Sequence, residues 1–261
     1  MPEHTSFISY LLALFPGLSH NAHSVGKMVM SHQDVTEHHL EPTITAVLVG
    51  LLVIGLAAAV KPLLADTKKA VVPEETLTLR TFIELFVGFF YGVAKDVMGA
   101  KKAKLYFPVI GACAMFIFFS NVLGVIPGMA PPTSSLSVTL GCALLVAVSY
   151  NYYGFKENGF GHIKHLFGPW LGPAGIPINI LIFVIEALTM FVVRPVTLAL
   201  RLMINMAVDH LIASIFIGLV ALLVPLPVMI LGIIVVIVQT LVFCLLTSVY
   251  IGLATEHEEH H

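Results

Sequence analysis

A chain of 261 residues with 58% hydrophobic and 11% charged residues has too few charges to cover a water-soluble globule, in which about 25% of residues are charged. Lipid must be the solvent for most of it, and the apolar blocks of roughly 20 residues must be helices, because an unclosed strand in hydrocarbon leaves its backbone groups unpaired. The net charge of -2 gives no reason to expect nucleic acid or any strongly charged partner. Cys113, Cys142 and Cys244 all fall inside apolar blocks without metal-ligand spacing, the pattern of helix packing.

The first 43 residues contain His20, His23, His38 and His39 and an apolar patch from Ile8 to Phe15 that is too short to span. No cleavable signal peptide is expected, and segment 1–43 reads as an extramembrane arm on the outer side. The histidines fit a solvated tail, with metal binding as the alternative. A first span is predicted over about 44–64, followed by Lys61, Lys68, Lys69 and Arg80 against a single Lys27 before it, which puts the N-terminus outside.

Residues 77–98 are apolar yet carry Arg80, Glu84, Lys95 and Asp96, as expected of an amphipathic helix lying at the inner interface. Lys101, Lys102 and Lys104 precede a second span over about 107–126, which stops at Pro127-Gly128. The uncharged, proline-containing stretch 129–134 fits a short outer loop. A third span over about 136–153 returns to Lys156, His162, Lys164 and His165, so every alternation obeys one orientation.

From Ile176 to Leu223 the chain is apolar, with Pro195 the one strong breaker in its interior. As a straight helix this stretch would reach about 70 Å, more than twice the hydrocarbon thickness of about 30 Å. It must be strongly tilted, kinked near Pro195, or divided into two helices. Val224-Pro225-Leu226-Pro227 is expected to turn the chain into a last helix over about 228–254, and 256–261 form a polar tail on the inner side. The fold class is an all-α integral membrane protein: about five membrane-embedded helices, one interfacial amphipathic helix, and a long tilted C-terminal helical hairpin. Its membrane domain is 44–255.

Glu186, Arg194, Arg201, Asp209 and His210 lie within the long apolar stretch. Each such group costs about 2.5 to 3.5 kcal/mol at a helix centre, so it normally faces a water cavity, a partner charge or an ion path. At 100° per residue Arg194 and Arg201 lie within about 20° of each other, Asn205 within about 40° of Arg201, and His210 about 180° away. A permanently charged arginine can act as an electrostatic barrier, while histidine and a neighbouring carboxylate gain and lose protons near neutrality. The bland alternative is that Arg194 snorkels and that Arg201 pairs with Glu186 or Asp209. Gln239 in the last helix serves equally as interhelical glue. A hairpin symmetric about 225–227 sets it opposite about position 213, away from Arg201.

The run from Arg194 to Leu211, Arg-Pro-Val-Thr-Leu-Ala-Leu-Arg-Leu-Met-Ile-Asn-Met-Ala-Val-Asp-His-Leu, resembles the signature of the a subunit of F-type ATP synthases. So do Lys104-Leu-Tyr-Phe-Pro-Val-Ile, Ser120-Asn121-Val-Leu-Gly-Val-Ile-Pro-Gly, Pro132-Thr-Ser-Ser-Leu-Ser-Val-Thr-Leu and Gln239, in the same order, from about residue 75 to the C-terminus. The resemblance implies that Arg201 is the stator arginine facing the carboxylates of a rotating c ring. His210 then belongs to an aqueous half-channel, and Gln239 lies near the arginine. Asp209, Asn205 and Glu186 join the ion pathway, with Arg194 and Asn121 secondary.

Implied partners are the c ring, the b subunits of the peripheral stalk and the rest of the synthase, within a lipid bilayer, most simply a bacterial inner membrane with the C-terminus cytoplasmic. No cofactor is expected, and no Gly-rich phosphate loop is present, so nucleotide chemistry is assigned to other subunits. Two positions depart from the pattern. Met203-Ile204 stands for a Phe-Gly pair and Val208-Asp209 for Ala-Gly, adding bulk and a carboxylate that suits either a proton relay or a sodium ion. Readings from other classes are a self-contained transporter, which calls for repeated halves that the sequence lacks, and a membrane assembly protein.

Overall fold

The structure is a computed structural model that describes residues 37–64, 78–126, 128–159, 161, 176–219 and 225–255. The N-terminal segment before residue 37, Lys68 and Lys69, His162 to His165, residues 220–224 and residues 256–261 lie outside the described residues. Within them the chain is helical and contains no strand.

Helix α1 runs Glu37–Leu64, α2 Leu79–Met98, α3 Ala100–Val125 and α4 Leu136–Asn158. Helix α5 is Ile176–Leu188 and passes through a π turn at Thr189–Val193 into α6, Arg194–Leu219; α7 is Pro225–Ala254. Five helical segments are long and apolar enough to cross a membrane: Glu41–Pro62, Ala100–Val125, Leu136–Asn158, Ile178–Phe216 and Pro227–Ala254. The protein is an all-α integral membrane protein.

Several helices extend past the predicted spans. Hydropathy marks only the part that sits in hydrocarbon, whereas backbone hydrogen bonding continues through polar flanks such as Lys101 to Lys104. Gly99 separates α2 from α3 with φ of 80°, a left-handed conformation that glycine adopts without Cβ strain. Because Ala103 N–H still reaches the Gly99 carbonyl at 2.9 Å, the chain changes direction while keeping its backbone paired.

The long apolar stretch is not divided into two helices. The span Ile178–Phe216 is one run of 39 residues, about 58 Å at 1.5 Å per residue, too long to stand upright in a core of about 30 Å. Proline 195 is accommodated by the π turn just before it: the Arg194 N–H bonds to the Thr189 carbonyl, five residues back.

The last hairpin also differs from the expectation. Pro225 and Pro227 do not form the turn; they open α7, where the missing proline N–H is one of the donors a helix start leaves free in any case.

The chain forms two compact units. The first gathers α1, Met115–Thr139 and Leu202–Thr240; the second gathers Thr81–Ala114, Leu140–Arg201 and α7 from Leu241. In the first, α1 packs on the short 3-10 turn Pro132–Ser134. Tyr106, Ile110, Tyr150 and Phe243 are fully buried and belong to the second.

Candidate functional site

Helix α6 has two contrasting faces. Leu198, Ala199, Leu202 and Met206 are buried, whereas Thr197, Arg201, Ile204, Val208, Leu211 and Ile215 are exposed at spacings of three and four, which lines them along one stripe. Arg201 sits in that stripe, and Asn205 is exposed one turn further on. Among the described residues Arg201 has no hydrogen-bond or ion-pair partner. Its fork of donors therefore faces outward from a surface that is mostly apolar, with Thr197 and Asn205 the polar neighbours along it.

The expected ion pairs of Arg201 are not formed. Glu186 pairs with Arg194, Oε1 to Nη2 at 3.7 Å, and the Arg194 guanidinium stacks over Tyr250 at 5.3 Å from the ring centre. Asp209 lies about 80° around the helix from Arg201, and no bond between the two is formed.

Gln239 is 4% exposed, and its Oε1 accepts from Asn205 Nδ2 at 2.8 Å. Spacing about 225–227 had set it opposite about position 213. Since α6 ends at Leu219 and α7 begins at Pro225, the hairpin is symmetric about the point midway between them, and that symmetry pairs 239 with 205. Gln239 thereby joins the turn that follows Arg201.

In the same unit a cavity of about 70 Å³ is lined by Asn121, Pro131, Met206, Asp209, His210 and Gly232 among others. Asn121 is 1% exposed; its Oδ1 accepts from the Thr133 hydroxyl at 2.6 Å, while its Nδ2 has no partner. The Oδ2 of Asp209 is likewise buried without a partner. A volume of this size holds one or two waters, and a donor and an acceptor left open on its walls are what such waters bond to. Thr133, unremarked in the sequence except as part of a motif, reaches Asn121 because Gly124 lets the loop approach: a Cβ there would meet Pro131 Cβ at 2.7 Å.

No group of three or more His, Cys, Asp or Glu that could hold a metal ion occurs among the described residues.

Comparison with known proteins decides the family. The profile described as ATP synthase A chain matches residues 43–252. The chain belongs to this family. It is 54% identical over 263 residues to the ATP synthase subunit a of Sorangium cellulosum, covering 100% of both chains. It is 41% identical over 224 residues to that of a Sulfurihydrogenibium species, covering 86% of this chain and 100% of the relative. With that of Bdellovibrio bacteriovorus the identity is 38% over 208 residues, 78% of this chain and 87% of the relative. Family membership makes the chain a subunit of the synthase membrane sector, with ion translocation as its function and the synthase complex as its context; a self-contained transporter is not favoured.

Proposed function

We propose that the chain is the proton-translocating stator, with Arg201 as the fixed charge that each carboxylate of a rotating c ring meets in turn. The observation that carries this reading is the exposed guanidinium in an apolar stripe. Arginine stays charged at physiological pH and is expensive against lipid. A surface of this kind is suited to a partner helix that brings an anion to it. The over-long helical run, lying strongly tilted, would present the stripe along the membrane plane.

The half-buried Asn205–Gln239 pair then stiffens the turn beside Arg201. The cavity between Asn121, Asp209 and His210 is the part of a half-channel nearest the ring, passing protons through bound water. Glu186 enters as the counter-ion of Arg194, through which Arg194 is neutralised within the span. A proton arriving by one route neutralises a ring carboxylate, crosses the lipid as the ring turns, and is released by the other route when the carboxylate meets Arg201. Each charge crossing 100 mV supplies about 2.3 kcal/mol.

The b subunits of the peripheral stalk keep this chain from turning with the ring, and nucleotide chemistry belongs to the soluble subunits. The lysines at the ends of α1, α2 and α4 and the start of α3 support an N-terminus outside and a C-terminus in the cytoplasm of a bacterial cell. Protons are favoured over sodium because, among the described residues, Asp209 is the one carboxylate on the cavity wall, and a sodium site needs several oxygen ligands.

The test is ATP-driven acidification of vesicles carrying the whole complex. Arg201→Ala should abolish acidification with assembly intact and without dependence on sodium. Unchanged pumping would remove Arg201 from the mechanism, and pumping that requires sodium would assign the ion as Na⁺.

A further inference from the structure

The π turn before Pro195 leaves the Met190 carbonyl without a helical partner. In an α-helix the Met190 carbonyl accepts from the N–H four residues on, that of Arg194, but this N–H goes to Thr189. The next donor along, five residues on in the π register, is residue 195, a proline with no N–H. The Tyr150 hydroxyl, from α4, donates to the Met190 carbonyl in their place. Tyr150 is 1% and Met190 5% exposed, so water does not compete for the bond.

We infer that Tyr150 is a positioning residue: its hydroxyl, by capping the Met190 carbonyl, holds a π turn that sets the rotation of α6 and hence the direction of Arg201. The inference rests on the stator reading of Arg201 given above.

The rotation matters because a π turn absorbs one residue more than an α turn. Were it to relax into the α register, everything after it would turn by about 100°, the angle between adjacent residues. Arg201 is exposed, and Leu202 beside it is fully buried. A slip of that size therefore exchanges an outward guanidinium for an apolar neighbour. The Glu186–Arg194 pair reports the same register. Eight residues apart, the two lie about 80° apart on a plain α-helix; with one residue absorbed they behave as i and i+7, about 20° apart. Their 3.7 Å contact fits the second arrangement. Thr197 adds a local brace, donating to the Val193 carbonyl at 2.7 Å.

The experiment is a double-mutant cycle in the whole complex, joining Tyr150→Phe, which removes only the hydroxyl, with Pro195→Ala, which supplies the N–H that Met190 lacks. Tyr150→Phe alone should cut ATP-driven acidification per assembled complex roughly tenfold, as expected for an orphaned buried carbonyl. In the Pro195→Ala background the same change should cost less than about twofold, because the new N–H takes the carbonyl. A silent Tyr150→Phe, or equal losses in both backgrounds, overturns the inference. Should Tyr150→Phe fail to assemble, assembly becomes the readout: recovery in the double variant supports the cap and no recovery overturns it.

The temperature at which the chain leaves the complex provides a second measure of the cycle. If Arg201→Ala pumps like wild type, the stator reading falls and the positioning role with it, while thermal coupling between 150 and 195 persists. If Arg201→Ala is inactive but 150 and 195 are thermally uncoupled, only the Tyr150 inference falls.

Discussion

Two regions of the molecule carry polar groups inside apolar helices, and they treat them in opposite ways. Around the π turn the groups close on one another: Glu186 on Arg194, Arg194 over Tyr250, Tyr150 on the Met190 carbonyl. Arg201, Asp209 and Asn121 instead leave polar atoms open, whereas Asn205 closes on Gln239. Arg201 faces outward, and Asn121 and Asp209 present unpartnered atoms to a shared cavity. A membrane span tolerates a polar group in either condition, but an open group must find water or a partner from elsewhere. Closure fits scaffolding, and openness fits the working surface proposed for Arg201.

The sharpest way to break this contrast is charge without geometry. Arg201→Lys keeps the cation but loses the planar fork, and ATP-driven acidification should fall at least tenfold in assembled complexes; wild-type pumping would make the surface no more than a charge. Next in size, Asp209→Asn should slow pumping roughly tenfold, less than the loss of about a hundredfold or more with a directly acting acid or base, because cavity water still relays protons, while the complex stays assembled. A loss of assembly with normal pumping in the survivors would return Asp209 to scaffolding. Gly124→Ala drives a Cβ into Pro131 and should lower the thermal stability of the chain in its complex by about 1 to 3 kcal/mol, with Thr133 displaced from Asn121. Gln239→Leu orphans Asn205 and should cost about 1 kcal/mol, recovered when Asn205→Leu is added, as measured by thermal release from the complex. The smallest effect is expected on the closed side. Replacing Glu186 and Arg194 together, by Gln and Met, should alter pumping less than about twofold, and a larger loss would erase the distinction between the two regions.

The family could be read from the run 194–211 because its residues match the family's motif in order, and a linear motif records such spacing. The long stretch could be read as too long for an upright helix, since length alone decides that. Pairings across the hairpin could not be read. Prolines at 225 and 227 look like a turn in a linear sequence, yet they serve as well in the first turn of a helix, and the difference of a few residues moved the partner of Gln239 from about position 213 to Asn205. Tyr150 was equally hidden: nothing in the composition of α4 indicates that one hydroxyl meets a carbonyl 40 residues on.

By itself the sequence determined the solvent, the helical class, the approximate spans and the family, because hydrophobic length and the cost of buried charge are properties of single segments. The tertiary structure decided which polar groups meet: Glu186 with Arg194, Asn205 with Gln239, Asn121 with Thr133. It also decided that the helix before Pro195 takes a π turn. These depend on the register between segments far apart in the chain and on where a proline withholds its N–H from a neighbouring carbonyl, and helical periodicity within one segment contains neither.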